Sequence, residues 1–203
     1  VTFENRIPGP RDFAGYVYRL RWHLLAIIVL FAMFTAAGFV IAVAYPAFTD
    51  NTITEFKEEV GPLKELSPFG LMLGIFENNA IKCFLSVVLG LALGIAPIVF
   101  IIANGFVIGI VVGATFAKAG ILYIIVGIVP HGVIEMPMVL ISAAIGLKLG
   151  TDVLRKVFRL KAEVVKDLKE ALLVFFFWIA PLLFIAAFLE TFVTSTLLYL
   201  ISQ

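Results

Sequence analysis

Charge is scarce in this chain. Of its 203 residues, 14% are Asp, Glu, Lys or Arg and 62% are hydrophobic, and the mean hydropathy is +1.11. Ordinary soluble domains carry about 25% charged residues, so this composition excludes one and indicates a polytopic membrane protein. A single cysteine, Cys83, excludes an intramolecular disulfide and any zinc site built on several thiolates. Its place at the apolar start of a span suits an inert packing thiol. The formal net charge of +1 gives no ground for a nucleic-acid partner, and the position of each charge matters more than the sum. Gln203 is the sole glutamine among plentiful Glu, Lys and Ile, a composition found in heat-adapted proteins. The opening Val1–Arg6 lacks the short apolar core and cleavage site of a signal peptide, so the first hydrophobic run is expected to remain as an anchor.

What is present is a succession of long apolar runs. A spanning helix needs about 20 such residues. The sequence predicts an all-α bundle of about five spans in a single transmembrane domain. The first runs from Trp22 to Tyr45, with aromatic residues suited to both interfaces. Residues 47–79 are acidic and read as extramembrane, with Ile53, Phe56, Val60 and Leu63 at helical spacing for a helix lying on the membrane. Phe69 to Phe76 is too short to span. The second span is expected from Ala80 to Ile102, capped by Asn78 and Asn79, and a reversal at Asn104-Gly105 leads to a short third span, Phe106 to Ala117. Ile121 to Leu147 would measure about 40 Å as one helix, against a hydrocarbon core of about 30 Å. A break at Pro130 and Gly132 is therefore expected, with a short arm, Ile121 to Val129, before a fourth span, His131 to Leu149. The stretch 151–170 reads as a basic amphipathic helix carrying Arg155, Lys156, Arg159, Lys161, Lys166 and Lys169. The last run, Ala171 to Ile201, is again over-long and is expected to kink at Pro181.

Arg6, Arg11, Arg19 and Arg21 precede the first span, and the basic helix joins the fourth to the fifth. Basic residues favour the cytoplasmic side. Five spans meet that rule in a multi-pass cell-membrane protein with its amino terminus inside and its acidic segment and carboxyl terminus outside.

Two kinds of constellation stand out. Glycines at i and i+4 let helix backbones approach closely in lipid. Gly105, Gly109 and Gly113 form one such ladder and Gly90 with Gly94 another, serving internal packing or a homodimer seam. The second constellation is polar. His131 and Glu135 share a helix face inside an apolar stretch, and ionisable groups there are functional candidates by default. Glu135 lies about 20 Å and His131 about 26 Å along the helix from Lys148, and Glu190 about 30 Å from Lys169. Glu77, Asn78 and Asn79 enter from the same outer side. Either these six groups converge, as a structural clasp, a metal or proton site or a partner-binding feature, or each meets water separately near a helix end. No metal or other cofactor is required, but a divalent metal at His131 and Glu135 is possible only with added carboxylates or amides, because a catalytic zinc normally takes three protein ligands and His23 lies at the far end of the first span.

The block Pro130-His131-Gly132 with Glu135-Met136-Pro137, preceded by Glu77-Asn78-Asn79, Gly90, Gly94 and Asn104-Gly105 with Gly109, and followed by Gly146 to Gly150, resembles the stage II sporulation protein M family. The likeness covers most of the chain from about Phe76. It implies a multispanning, non-enzymatic scaffold, like those assembled with peptidoglycan-degrading partners during engulfment in sporulating bacteria. The expected partners are the lipid bilayer, a second copy of the chain, and unidentified membrane or envelope proteins. Two other classes stay open: an intramembrane metal-dependent hydrolase at His131 and Glu135, and a small-solute transporter using the broken helices.

Overall fold

The computed structural model describes residues 7–47, 49–50 and 66–201. They form helices joined by short connections, with no strand among them. Five helical stretches are long and apolar enough to cross a membrane: Arg21–Ala44, Pro68–Leu91, Ile95–Ala119, Ile121–Val157 and Val164–Ile201. The chain is a multi-pass membrane protein with an all-α bundle. The predicted surface helix through Ile53, Phe56, Val60 and Leu63 lies outside the described residues.

Helix α1 (Pro10–Arg19) starts with proline at its first position, and Asp12 Oδ2 accepts the Gly9 N–H at 3.0 Å. Buried Leu20 then turns the chain into α2 (Arg21–Ala44). Helix α3 (Pro68–Val88) begins at Ser67, whose hydroxyl accepts the Gly70 N–H at 3.2 Å, with Pro68 at the first position. The acidic segment therefore ends sooner than its composition suggests. Asn78 and Asn79 sit in the middle of this span and do not cap it.

The reversal between the second and third spans also moves. It lies at Leu89–Gly94, where Leu93 (φ 59°) and Gly94 (φ 76°) adopt left-handed conformations. Asn104 and Gly105 are interior to α4 (Ile95–Ala119), and Asn104 donates its amide to Phe100 O at 2.8 Å. An Asn-Gly pair is a turn signal in water. Here the side chain finds its acceptor one turn back, and the small Gly105 packs against Phe31 of α2.

Helix α5 (Ile121–Val157) is continuous for 37 residues, so the expected break at Pro130–Gly132 is absent. At 1.5 Å per residue it is about 55 Å long and carries Lys148, Asp152, Arg155 and Lys156 beyond an apolar layer of about 30 Å. The predicted basic helix is correspondingly divided. Residues 151–157 complete α5, 158–163 form a connection with Arg159 at φ 58°, and Val164 opens α6 (Val164–Val174). The last run stays helical through Pro181, but two π-helical turns, Phe175–Ile179 and Leu189–Thr194, flank α7 (Ala180–Phe188) before α8 (Ser195–Ile201). The wider turn just before Pro181 accommodates its missing N–H.

Backbones touch along two seams. A Cβ placed on Gly38 would lie 2.3 Å from Phe106 O, and one on Gly109 would lie 2.2 Å from Thr35 O, where α2 meets α4. Gly90 meets Gly146 O at 2.3 Å and Gly150 meets Gly94 N at 2.1 Å by the same measure, which seats the reversal on α5. Gly90 and Gly94 thus belong to a turn and not to one helical ladder. Cys83, Val87, Ile101, Ile145, Leu149, Ile179 and Leu183 fill the centre between these seams.

The two ends differ in charge. One holds α1, the Leu89–Gly94 reversal and connection 158–163, tied by Arg19–Glu170 at 2.7 Å, Lys148–Asp152 at 2.6 Å and Lys148–Asp167 at 3.0 Å. Phe13 stacks on Trp178 at 4.9 Å, and the Trp178 indole donates to Pro8 O at 2.8 Å. The buried Tyr16 phenol there is pushed up by desolvation, then by the Glu170 and Asp167 charges. The opposite end holds Gly120, the Lys118–Asp50 pair at 2.5 Å, and the Tyr123 hydroxyl donating to Ile201 O at 3.2 Å.

Candidate functional site

The polar groups of α5 meet the last helical run inside the bundle. His131 and Glu135 are four residues apart on one face of α5, and Glu190 and Thr194 are four apart in the π-helical stretch Leu189–Thr194. The wide turn is visible in the bonding, since both the backbone N–H and the hydroxyl of Ser195 reach Glu190 O, five residues back. Single π turns within α-helices recur at functional sites because they re-aim side chains. One ligand atom from each of His131, Glu135 and Glu190 lies within 4.8 Å of the other two, and all three residues are half-buried. His131 Nδ1 is 3.2 Å from Thr194 Oγ1. Thr194 is 4% exposed, so this partner is held in protein and fixes the ring.

Three of the six sequence candidates therefore come together. The other three do not join this metal-capable group. Glu77 and Asn78 face away from the protein on α3, and Asn78 donates to its neighbour Asn79 at 3.5 Å. His23, at the other end of the molecule, meets Thr151 Oγ1 at 3.1 Å. Pro130, Gly132 and Pro137 lie within α5 around the cluster, where proline removes backbone donors and leaves carbonyls one turn back unbonded. Asn104 serves α4 as described.

Thr194 was not among the sequence candidates. Its spacing from Glu190 matches that of His131 from Glu135, and this repeated four-residue interval was the available signal. Lys82 was also overlooked. It is exposed on α3, five residues after Glu77.

Chemically, an imidazole and two carboxylates make an N,O,O donor set for a divalent cation or a site where carboxyl groups share a proton. Neither described cavity reaches it. One of about 890 Å³ lies at the charged end, lined by Lys156, Lys169, Glu170 and Phe176 among others, and the second runs along α2 from Phe31 to Val40.

An uncharacterised protein of Methanocaldococcus jannaschii is 30% identical over 126 residues, covering 59% of this chain and 68% of that protein. No solved structure matches. The family model described as Stage II sporulation protein M matches residues 27–195, which include every helix of the cluster, and the chain belongs to that family.

Proposed function

We propose that this protein is a non-enzymatic integral membrane scaffold that acts as a homodimer and assembles with other membrane or envelope proteins in envelope or membrane remodelling. One observation carries this reading: the outward face of α3 holds Glu77, Asn78 and Lys82 at mid-span, uncovered by the protein. Charged groups facing lipid at that depth cost a few kcal/mol or more. Glu77 and Lys82 are five residues apart and so are not neighbours on their own helix, and neither forms an ion pair with a described residue. A second copy supplies what is missing.

In a heptad with Leu71, Asn78 and Leu85 at a and Gly74, Ile81 and Val88 at d, Glu77 takes g and Lys82 the following e. Across a parallel two-fold, g of one helix pairs with e of its partner, and a lone Asn at a fixes register. Ile81 and Leu85 are 48% and 43% exposed on this seam, whereas Met72, Cys83, Ser86 and Val87 are buried on the opposite face. Arg11, Arg19, Arg21, Lys156, Arg159 and Lys161 share one end of the bundle, which supports an amino terminus in the cytoplasm and the end of α8 outside.

The test is cysteine crosslinking in native membranes on a Cys83→Ser background. Asn78→Cys and Leu85→Cys should give dimers, and Phe69→Cys, at position f, should not. A monomer in nanodiscs with no crosslink at 78 or 85 would refute the seam. Partner assembly is read separately, by whether the protein crosslinked at Asp50→Cys recovers a defined membrane protein and whether Glu77→Lys abolishes that recovery. The metal-dependent hydrolase reading gains a third candidate ligand in Glu190, and hydrolysis by the metal-loaded protein would favour it. A transporter would drive solute flux in proteoliposomes, and none is expected.

A further inference from the structure

His131, Glu135 and Glu190 have no role in dimerisation or partner assembly as proposed, although burying two carboxylates side by side within an apolar layer is expensive. Two such charges in low dielectric need a compensating cation or a proton. We infer that His131, Glu135 and Glu190 bind one divalent first-row transition cation of the zinc or manganese class, clasping α5 to the π-helical turn of the last span.

The geometry supports a shared centre. Three atoms that all lie within 4.8 Å of one another have a common point no more than 4.8/√3, about 2.8 Å, from each. Zinc bonds to imidazole nitrogen and carboxylate oxygen measure about 2.0–2.2 Å, so each side chain needs to move inward by less than about 0.8 Å. Flexible glutamate side chains allow that without moving a helix. The imidazole disfavours magnesium and calcium, which take oxygen ligands almost exclusively.

The surroundings match a built site. Thr194 meets His131 at Nδ1, and metal-binding imidazoles commonly have one ring nitrogen held by such a hydrogen bond while the other takes the metal. With one divalent cation the two carboxylates become a neutral unit, the form that an apolar layer tolerates best. Lys82 is exposed on α3 and is not one of the three grouped residues.

The experiment uses the full chain in nanodiscs, purified without chelator. Elemental analysis should find about one zinc or manganese per chain, and Co2+ exchanged into the site should give visible d–d absorption. Chelation should lower the melting temperature and added Zn2+ restore it. Glu190→Gln should lose the bound metal, the Co2+ spectrum and the response to chelator together. Thr194→Val keeps every ligand and should weaken Co2+ binding about tenfold, as outer-sphere changes do, so the inference stays testable if Glu190→Gln fails to fold. Lys82→Met should keep the metal. A wild-type protein that holds no metal, gives no Co2+ spectrum and melts alike with and without chelator overturns the inference and assigns the cluster to a shared proton. These readouts record metal and are indifferent to oligomeric state, so their failure leaves the dimer seam untouched.

Discussion

Gly109 of α4 lies so close to Thr35 of α2 that a Cβ on the glycine would sit 2.2 Å from the threonine carbonyl oxygen. Contact at that distance is with backbone, which cannot rotate away. Gly109→Ala is therefore expected to force the helices apart and cost about 3 kcal/mol or more, the upper range for overpacking. Gly127→Ala is the control, because its nearest neighbours are the Leu198 methyl groups at 3.8 and 4.0 Å. It should be neutral or slightly stabilising through helix propensity. Thermal melts of both variants in one detergent check the pair.

Arg19 and Glu170 should matter for a different reason. The Glu170 side chain is only 6% exposed and the Arg19 side chain is 36% exposed. Arg19→Ala would leave a buried carboxylate without its partner, and the half-exposed arginine lowers the loss to about 1–3 kcal/mol. Arg19→Ala with Glu170→Gln should recover part of it, a result that a double-mutant cycle in melting experiments would read directly.

Lys118 and Asp50 form a pair at 2.5 Å, but both side chains are more than half exposed. Exposed pairs contribute little. Asp50→Ala should leave the melting temperature within error of the parent, and a large drop would show that this end of the bundle is more constrained than its exposure implies.

Charge reversal on α3 tests the seam. Glu77→Lys alone sets two cations against each other across the two-fold and should shift the dimer toward monomer by about tenfold or more, as like charges disfavour pairing. Adding Lys82→Glu restores opposite signs and should restore association. Single-molecule counting in nanodiscs distinguishes the two outcomes, and equal monomer fractions in both variants would remove the electrostatic argument.

Much of the fold was legible along the chain. Five spans follow from hydropathy, because a membrane requires long apolar helices, and a shared His131–Glu135 face follows from periodicity. The boundaries were less legible. Asn104-Gly105 reads as a turn by local chemistry, yet it lies within a span because the Phe100 carbonyl satisfies Asn104 and Phe31 packs at Gly105. Pro130 reads as a break, yet neighbouring helices hold α5 intact through it. In both places local propensity gave way to packing.

The candidate site divides along the same line. Sequence alone determined that His131 and Glu135 share a face, since four residues make nearly one helical turn. It also determined that the chain is built for a membrane, since so apolar a composition leaves no alternative. Only the tertiary structure decided that Glu190, 55 residues beyond Glu135, completes the group and that Glu77 and Asn78 leave it. Periodicity reports the direction of a side chain about its own axis. The rotation of one helix against another is set by backbone contacts such as those at Gly90 and Gly146 and by the two π turns of the last span, and these arise only when the helices pack.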